Sequence, residues 1–274
     1  MAIILNPINP VAFSVFGLPI RWYALAYIAG FIIGYYLFRY LTRKDDAQIH
    51  FSKKQYDDIL TYIVLGVIIG GRLGYVLFYN FSYFISHPLE IFAVWNGGMS
   101  FHGGIIGVII AAFLFAYVQK FSDKSWWQNG LRVLDLLAVV VPIGLGLGRI
   151  ANFINMEVMG RATNSPLGVI FVGHNNIPRH PSPLYEATLE GLVLFIIMWL
   201  LYTKTNLKRF PGAIGGLFCV FYACFRAFCE LFRQPDVQIG FLTSWHLTMG
   251  QMLSGIMFVV GIVVLTCALR KSKK

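Results

Sequence analysis

Long apolar runs separated by short polar connections make up most of this 274-residue chain. Runs of about 17–25 mostly apolar residues are long enough to cross a bilayer as α-helices. We therefore predict an all-α integral membrane protein, a single polytopic domain over residues 1–274. Seven transmembrane helices are expected, near residues 20–40, 57–79, 99–118, 133–150, 186–202, 212–231 and 248–269.

Lysine and arginine are concentrated in the connections after the first, third and fifth spans and in the C-terminal tail. Because cytoplasmic loops are enriched in these residues, the pattern predicts a periplasmic N-terminus and a cytoplasmic C-terminus. Lys53 is then expected in the cytoplasm and His174 in the periplasm. The longest external connection, residues 160–185, is predicted to form a small periplasmic cap.

The composition agrees with a membrane protein and excludes several other classes. The chain is 57% hydrophobic and 12% charged, with a mean hydropathy of +0.67, values that soluble domains do not show. Its net charge of +10 follows the loop pattern, so we expect membrane lipids and no nucleic acid as partners. Cys219 and Cys224 point about 140° apart on a helix, and we predict neither a disulfide, a metal nor a cofactor.

Residues 144–161, GLGLGRIANFINMEVMGR, begin as a membrane span and end in charge. The glycines at 144, 146 and 148 predict close approach between packed helices. A dense polar group follows within the same stretch and comprises Arg149, Asn152, Asn155, Glu157 and Arg161. Because ionisable groups at membrane depth require a polar cavity or a partner, each of them is a functional-site candidate.

Arginines also occur near the outward ends of three predicted spans. In the predicted orientation the second, fourth and sixth spans run outward and carry Arg72, Arg149 and Arg226 in their final thirds. Positive charge on this side runs against the loop pattern and indicates an anionic ligand. Arginines that snorkel to lipid headgroups are the alternative explanation.

The sixth span carries a polar stripe within about 80° of helical arc. The stripe consists of Tyr222, Arg226, Glu230 and Arg233. A self-neutralising pair of Arg226 with Glu230 is the alternative to a binding role. Glu186 and Glu190 form a similar i, i+4 pair. They follow Ser182 and Pro183, which are typical of a helix start. The alternative for Glu186 is that its negative charge simply stabilises the N-terminus of that helix.

Four glycines surround His102 in the sequence NGGMSFHGG at residues 96–104. Backbone of this composition bends readily, which predicts a broken or re-entrant start to the third span. Since arginines are expected on the same side, His102 is a candidate for acid–base chemistry. A structural histidine at the interface is the alternative.

Together these motifs resemble the prolipoprotein diacylglyceryl transferase family of the bacterial inner membrane. The family signature resembles GRxxNFxNxExxG, present here as Gly148, Arg149, Asn152, Phe153, Asn155, Glu157 and Gly160. A His-Gly-Gly element is present as His102, Gly103 and Gly104. Similar to the family as well are RWY at 21–23, GGRLGYVLFYN at 70–80, RHPSPLYE at 179–186 and the run from Tyr222 to FRQPD at 232–236.

The resemblance implies transfer of the diacylglyceryl group of phosphatidylglycerol to the lipobox cysteine thiol of a prolipoprotein signal peptide, with release of glycerol phosphate. It implies a multi-pass protein of the inner membrane whose active site faces the periplasmic leaflet. The catalytic residues are then expected to be His102, Arg149 and Arg226. The phosphatidylglycerol-binding residues are expected to be Tyr23, Arg72, Arg149, Asn152, Asn155, Glu157, Gly160, Tyr222 and Glu230.

This chemistry suits the residues. Arginine grips phosphate oxygens in two places, while Glu157 and Glu230 are expected to orient arginines. A thiol of pKa about 8.5 needs about 2 kcal/mol to ionise near neutral pH, which either His102 as a base or the arginine field could supply.

Two other classes use some of the same features. A transporter of anionic solutes or lipids would use these arginines but should show repeated halves, which the sequence does not display. An intramembrane serine protease would need a serine beside a histidine, and Ser100 near His102 offers only a faint candidate without a GxSxG element.

Overall fold

The computed structural model describes residues 3–43, 48–119, 124–173, 176–234 and 247–270. Within these ranges the chain is mostly helical and contains four short strands. It divides into two compact units. The first unit comprises Met1–Phe38 and Leu137–Lys274, and the second comprises Arg39–Leu136.

The described helices are, in chain order, α1 (Trp22–Thr42), α2 (Lys53–Phe78), α3 (Phe81–Ser86), α4 (Phe101–Gln119), α5 (Trp126–Ile154), α6 (Ser182–Glu186), α7 (Leu194–Lys204), α8 (Ala213–Cys229) and α9 (Met249–Arg270). A π-helical stretch, Ala187–Val193, joins α6 to α7. Six helical stretches of the described chain have the length and hydropathy of membrane spans, namely α1, α2, α4, α5, Ser182–Lys204 and α9.

The prediction of a helical membrane protein is therefore confirmed. The predicted span at 212–231 corresponds to α8, which is apolar but has only 17 residues. Seven spans, the sides of the two termini and a single polytopic domain stay predictions.

In the second unit, α2 packs closely against α4. A Cβ on Gly70 would overlap the carbonyl of Gly103, so small residues are what allow the two helices to touch. Two short 3₁₀ helices, Pro88–Phe92 and Val94–Asn96, lead towards α4. Gly97 and Gly98 then adopt φ values of 82° and 76°, which favour glycine. The backbone therefore bends just before His102, while a broken or re-entrant start to the third span stays a prediction.

In the first unit, α5 meets the π-helical stretch at Gly146, where an added Cβ would lie 3.1 Å from the Cα of Gly191. Close approach is thus confirmed for Gly146. A Cβ on Gly30 would lie 3.2 Å from the Cα of Gly144, so helices approach closely there as well. A Cβ on Gly148 would meet no described atom within 4 Å, and close approach at that position stays a prediction. Sequence pattern alone does not tell which glycine faces a neighbour.

The strands of the first unit are short. Strand β1 (Ile3–Leu5) pairs in parallel with β4 (Val169–Phe171), and β2 (Val11–Val15) forms an antiparallel hairpin with β3 (Leu18–Arg21). Segment 160–185 contains β4 and is also tied by isolated bridges from Gly160 to Arg233 and from Ala162 to Arg179. His174, part of the predicted cap, lies outside the described residues.

Candidate functional site

Six charged side chains from α5, α6, the π-helical stretch, α8 and the residues just after α8 meet in the first unit. We call them the ion-pair cluster: Arg149, Arg226, Arg233, Glu186, Glu190 and Glu230. It contains three arginines and three glutamates, so it is neutral when every member is ionised. This balance makes so many charges tolerable among apolar helices.

Arg149 lies near the C-terminal end of α5 and reaches two buried carboxylates. Its Nε is 2.8 Å from Oε2 of Glu186, and its Nη2 is 3.7 Å from Oε2 of Glu190. The side chains of both glutamates are 0% exposed, whereas that of Arg149 is 19% exposed. The carboxylates therefore form the buried floor of the cluster, and the Arg149 side chain is partly accessible.

Arg226 occupies the centre of the cluster. Its Nη1 is 3.2 Å from Oε1 of Glu186 and 3.6 Å from Oε1 of Glu190, and its Nη2 is 2.6 Å from Oε2 of Glu230. Arg233 adds a longer contact of 3.9 Å to Oε1 of Glu186. The i, i+4 pair of Arg226 with Glu230 is real, but it belongs to a larger network and does not stand alone.

These contacts are ion pairs with poorly aligned hydrogen bonds. Within the described ranges, no carboxylate oxygen of Glu186 or Glu190 has a hydrogen-bond partner of acceptable geometry, and neither does Nη1 of Arg226. Buried polar atoms are normally satisfied. The cluster is therefore held mainly by the electrostatic attraction between the guanidinium groups and the carboxylates.

The two fully buried glutamates owe their placement to an unusual helix. Glu190 lies within the π-helical stretch and Glu186 directly before it. A π-helix has wider turns than an α-helix, and short π segments often occur at functional sites. Sequence spacing identified the acidic pair and placed Arg233 on the polar stripe, but Glu186, Glu190 and Arg233 were not among the expected catalytic or lipid-binding residues.

The motif after Arg149 forms a second polar group. The side-chain amide of Asn152 donates to Oε2 of Glu157 at 2.9 Å, and that of Asn155 donates to Oε1 at 3.4 Å. The described contacts of Glu157 are thus to amides, whereas we expected it to orient an arginine. Met156 and Val158 have φ values of 54° and 57°, which is rare outside glycine and strained for a β-branched residue. The surrounding contacts must hold this loop in place.

Gly160 allows the backbone of this loop to approach neighbouring segments closely. Its N–H donates to the carbonyl of His180 at 3.0 Å, and an added Cβ would overlap the carbonyls of both His180 and Phe232. Arg161 continues the connection, because its N–H donates to Phe232 at 2.8 Å and its Nε to the carbonyl of Arg233 at 2.9 Å. Close backbone approach explains the glycine and ties the motif loop to the end of α8.

The predicted tyrosines lie in the same unit. Tyr222 is buried, one helical turn before Arg226, and interacts electrostatically with Glu190 and Arg226. Tyr23 opens α1, and its ring centroid is 5.1 Å from that of Tyr27. Tyr27 in turn interacts electrostatically with Arg149. Both tyrosines that are expected to bind lipid therefore lie in the same unit as Arg149 and Arg226.

Arg72 and His102 belong to the second unit. The guanidinium of Arg72 donates to four backbone carbonyls, those of Glu90 at 2.6 Å, Ile91 at 2.8 Å, Gly97 at 2.5 Å and Gly98 at 3.2 Å. Most of its five donors are thereby used, which favours a role in folding segment 88–98.

His102 lies exposed in the first turn of α4, with its ring centroid 5.8 Å from that of Phe101. In the described part of the chain, no group of three or more His, Cys, Asp or Glu side chains could hold a metal ion.

These features define a polytopic helical membrane protein with a charged site among its spanning helices. A family model described as prolipoprotein diacylglyceryl transferase matches residues 10–267. The chain therefore belongs to this family, as its motifs predicted, and is a transferase.

Curated relatives agree over nearly their whole length. The phosphatidylglycerol–prolipoprotein diacylglyceryl transferase of Rickettsia felis is 49% identical over 255 residues, covering 93% of this chain and 94% of the relative. The Oleidesulfovibrio alaskensis protein of the same name is 47% identical over 266 residues, 97% of this chain and 95% of the relative. The Rhodospirillum rubrum protein of the same name is 49% identical over 264 residues, covering 96% of this chain and 93% of the relative.

Proposed function

We propose that this chain transfers the diacylglyceryl group of phosphatidylglycerol to the lipobox cysteine of a prolipoprotein. The cysteine sulfur forms a bond to the terminal carbon of the diacylglyceryl group. The bond between that carbon and the phosphate oxygen breaks, and glycerol phosphate is released. The observation that carries the proposal is the ion-pair cluster, whose arginines are partly accessible above buried carboxylates in a chain of this family.

Arg149 and Arg226 are proposed to hold the phosphate of the donor lipid. Their side chains are 19% and 12% exposed, so both are partly accessible to a ligand. A guanidinium pairs with phosphate oxygens through two parallel hydrogen bonds. As the carbon–oxygen bond breaks, negative charge grows on the departing phosphate, and positioned cations stabilise that charge.

Glu186, Glu190 and Glu230 are proposed to position the arginines. The fully buried Glu186 contacts both Arg149 and Arg226. This carboxylate therefore fixes the spacing of the two guanidinium groups. A site held in place before the substrate arrives needs little rearrangement during the reaction. None of the three carboxylates is assigned a nucleophilic role.

Activation of the acceptor thiol is proposed to need a base or a cationic field. His102 is the candidate base because its imidazole is exposed at the start of α4, and histidine is the side chain that most often acts as a general base. The thiol proton would pass to this imidazole as the sulfur attacks. Stabilisation of the thiolate by the arginines alone is the alternative.

The protein is proposed to reside in the bacterial inner membrane with seven spans, α8 being the sixth, and with its site toward the periplasmic leaflet. The lysine and arginine distribution supports this orientation. Labelling of a single cysteine at position 53, in a background without native cysteines, tests it. An impermeant reagent should fail to reach this cysteine in intact cells, and ready labelling would reverse the assigned orientation.

The activity is tested with purified full-length protein, phosphatidylglycerol labelled in its acyl chains and a lipobox peptide in vesicles. A diacylglyceryl thioether on the peptide is expected. A matched peptide with serine in place of the lipobox cysteine should stay unmodified. Movement of the lipid or of glycerol phosphate across the vesicle membrane without thioether formation would instead identify a transporter and contradict the proposal.

A further inference from the structure

A second group of cations surrounds a cavity in the second unit. The cavity has a volume of about 350 Å³ and is lined by Arg39, Thr42, Arg43, His50, Phe51, Lys53 and Tyr56. It is formed by the end of α1, the start of α2 and the residues just before α2. Arg72 lies 19 positions further along α2 than Lys53, which places the two about 28 Å apart along the helix axis.

The described lining carries positive charge without a compensating carboxylate. Three permanent cations and one histidine are present, and the remaining lining residues are a threonine and two aromatics. Asp45 and Asp46 follow Arg43 in the sequence and lie outside the described residues. The start of a 26-residue helix adds partial positive charge to the same end.

Arg39 provides the most specific feature of the cavity. Its guanidinium carbon lies 5.5 Å from the ring centroid of Tyr56, while its Nε is buried and has no hydrogen-bond partner in the described part of the chain. A buried guanidinium donor without a partner carries a desolvation cost that an anion would remove. The arginine is thus oriented by the aromatic ring and still has a donor available.

The floor of the cavity is ordered. The hydroxyls of Thr42 and Tyr56 are 2.9 Å apart and buried, and the ring of Phe51 packs on that of Tyr56 at 5.6 Å between centroids. Arg132 donates to the carbonyl of Gln48 at 2.8 Å, which fixes the segment leading to His50. An ordered floor keeps the cations close together without a ligand.

We infer that this cavity binds a phosphate group, either in the headgroup of an anionic phospholipid or as inorganic phosphate. Arg39 and Arg43 would grip the phosphate oxygens, and Lys53 would add charge. Basic pockets between spanning helices suit anionic headgroups. Tyr40, which follows Arg39 on α1, is 52% exposed and offers a surface for an acyl chain.

The test uses purified full-length protein in non-ionic detergent, titrated calorimetrically with dioctanoyl phosphatidic acid or with inorganic phosphate. The variant Arg43→Gln/Lys53→Gln changes two exposed side chains and should fold. Its matched control is Lys54→Gln/Arg270→Gln, which removes the same charge at exposed positions outside the lining. Arg39→Lys separately tests the guanidinium fork.

We expect the lining variant and Arg39→Lys each to weaken one binding event by roughly tenfold or more, with the control unchanged. Transferase turnover should stay within about twofold of wild type in the lining variant, since loss of two exposed surface charges is normally a small perturbation. Weakened binding of phosphatidic acid alone would identify a lipid headgroup, and equal weakening for inorganic phosphate would identify free phosphate. The inference is overturned if neither ligand shows binding sensitive to these variants, or if the control weakens binding equally.

Discussion

Replacement of Glu186 by glutamine tests how the two central arginines are held. The substitution keeps the size of the side chain and removes its charge. Glu186 is fully buried, with contacts of 2.8 Å to Arg149 and 3.2 Å to Arg226. Removal of one partner from a buried ion pair costs about 3–5 kcal/mol, because the other charge stays buried and unpaired. Since both arginines are partly exposed, we expect the lower end of that range.

Glu190 provides an internal comparison of equal burial. Its arginine contacts are longer, at 3.6 and 3.7 Å, so Glu190→Gln should cost less, about 1–3 kcal/mol. Thr188→Val is the matched control, because Thr188 is an exposed neighbour whose hydroxyl bonds only the carbonyl of Leu184 among the described contacts. That control should change the free energy of unfolding by less than about 0.5 kcal/mol.

The free energies of unfolding are measured by circular dichroism in mixed micelles of rising sodium dodecyl sulfate content, and turnover is measured in vesicles. Turnover should fall more in Glu186→Gln than in Glu190→Gln, because Glu186 makes the shorter contact with each arginine. The reasoning is refuted if the two variants are equally stable. A folded Glu186→Gln enzyme with normal turnover would refute it as well.

Four further predictions concern single residues. Arg149→Lys or Arg226→Lys keeps the charge but loses the bidentate fork, so turnover should fall by about tenfold or more at unchanged expression; near-normal turnover would remove that arginine from the mechanism. His102→Gln should lower turnover by about 10²–10⁴-fold near neutral pH and recover as pH nears the thiol pKa, whereas an equal loss at every pH would indicate positioning. Arg72→Lys loses most of the hydrogen bonds to four part-buried carbonyls, at about 1 kcal/mol each, which limited proteolysis of segment 88–98 should reveal as faster cleavage. Burial lowers the pKa of His180 below its usual 6.5, so stability should decline as pH falls through about 6.5 and stop declining below the folded pKa; a His180→Gln protein with the same pH dependence would contradict this.

Much of the architecture follows from the sequence alone. Apolar runs of membrane-spanning length predicted the spanning helices, because hydrocarbon excludes most polar side chains over that length. Charges inside such runs are costly, which is why Arg149 and Arg226 stand out without any structure. The motif at 148–160 and the His-Gly-Gly element were specific enough to identify the family.

The partners of those arginines were decided by the tertiary structure. Helical periodicity indicates which side chains share a face, but it does not say which neighbouring helix that face meets. The α5 residue Arg149 and the α8 residue Arg226 converge on Glu186, and a π-helical stretch presents Glu190 beside it. Such pairings depend on packing between segments distant in the chain.

The same limit explains Gly160 and Arg72, which were predicted to bind lipid. In the fold, Gly160 allows a close approach to the carbonyls of His180 and Phe232, and Arg72 donates to backbone carbonyls of the segment before α4. Whether they also contact substrate stays a prediction. The local sequence shows that a glycine at 160 and an arginine at 72 are unusual. What each residue does depends on which backbone segment lies beside it after folding, because that neighbour is brought there by tertiary packing.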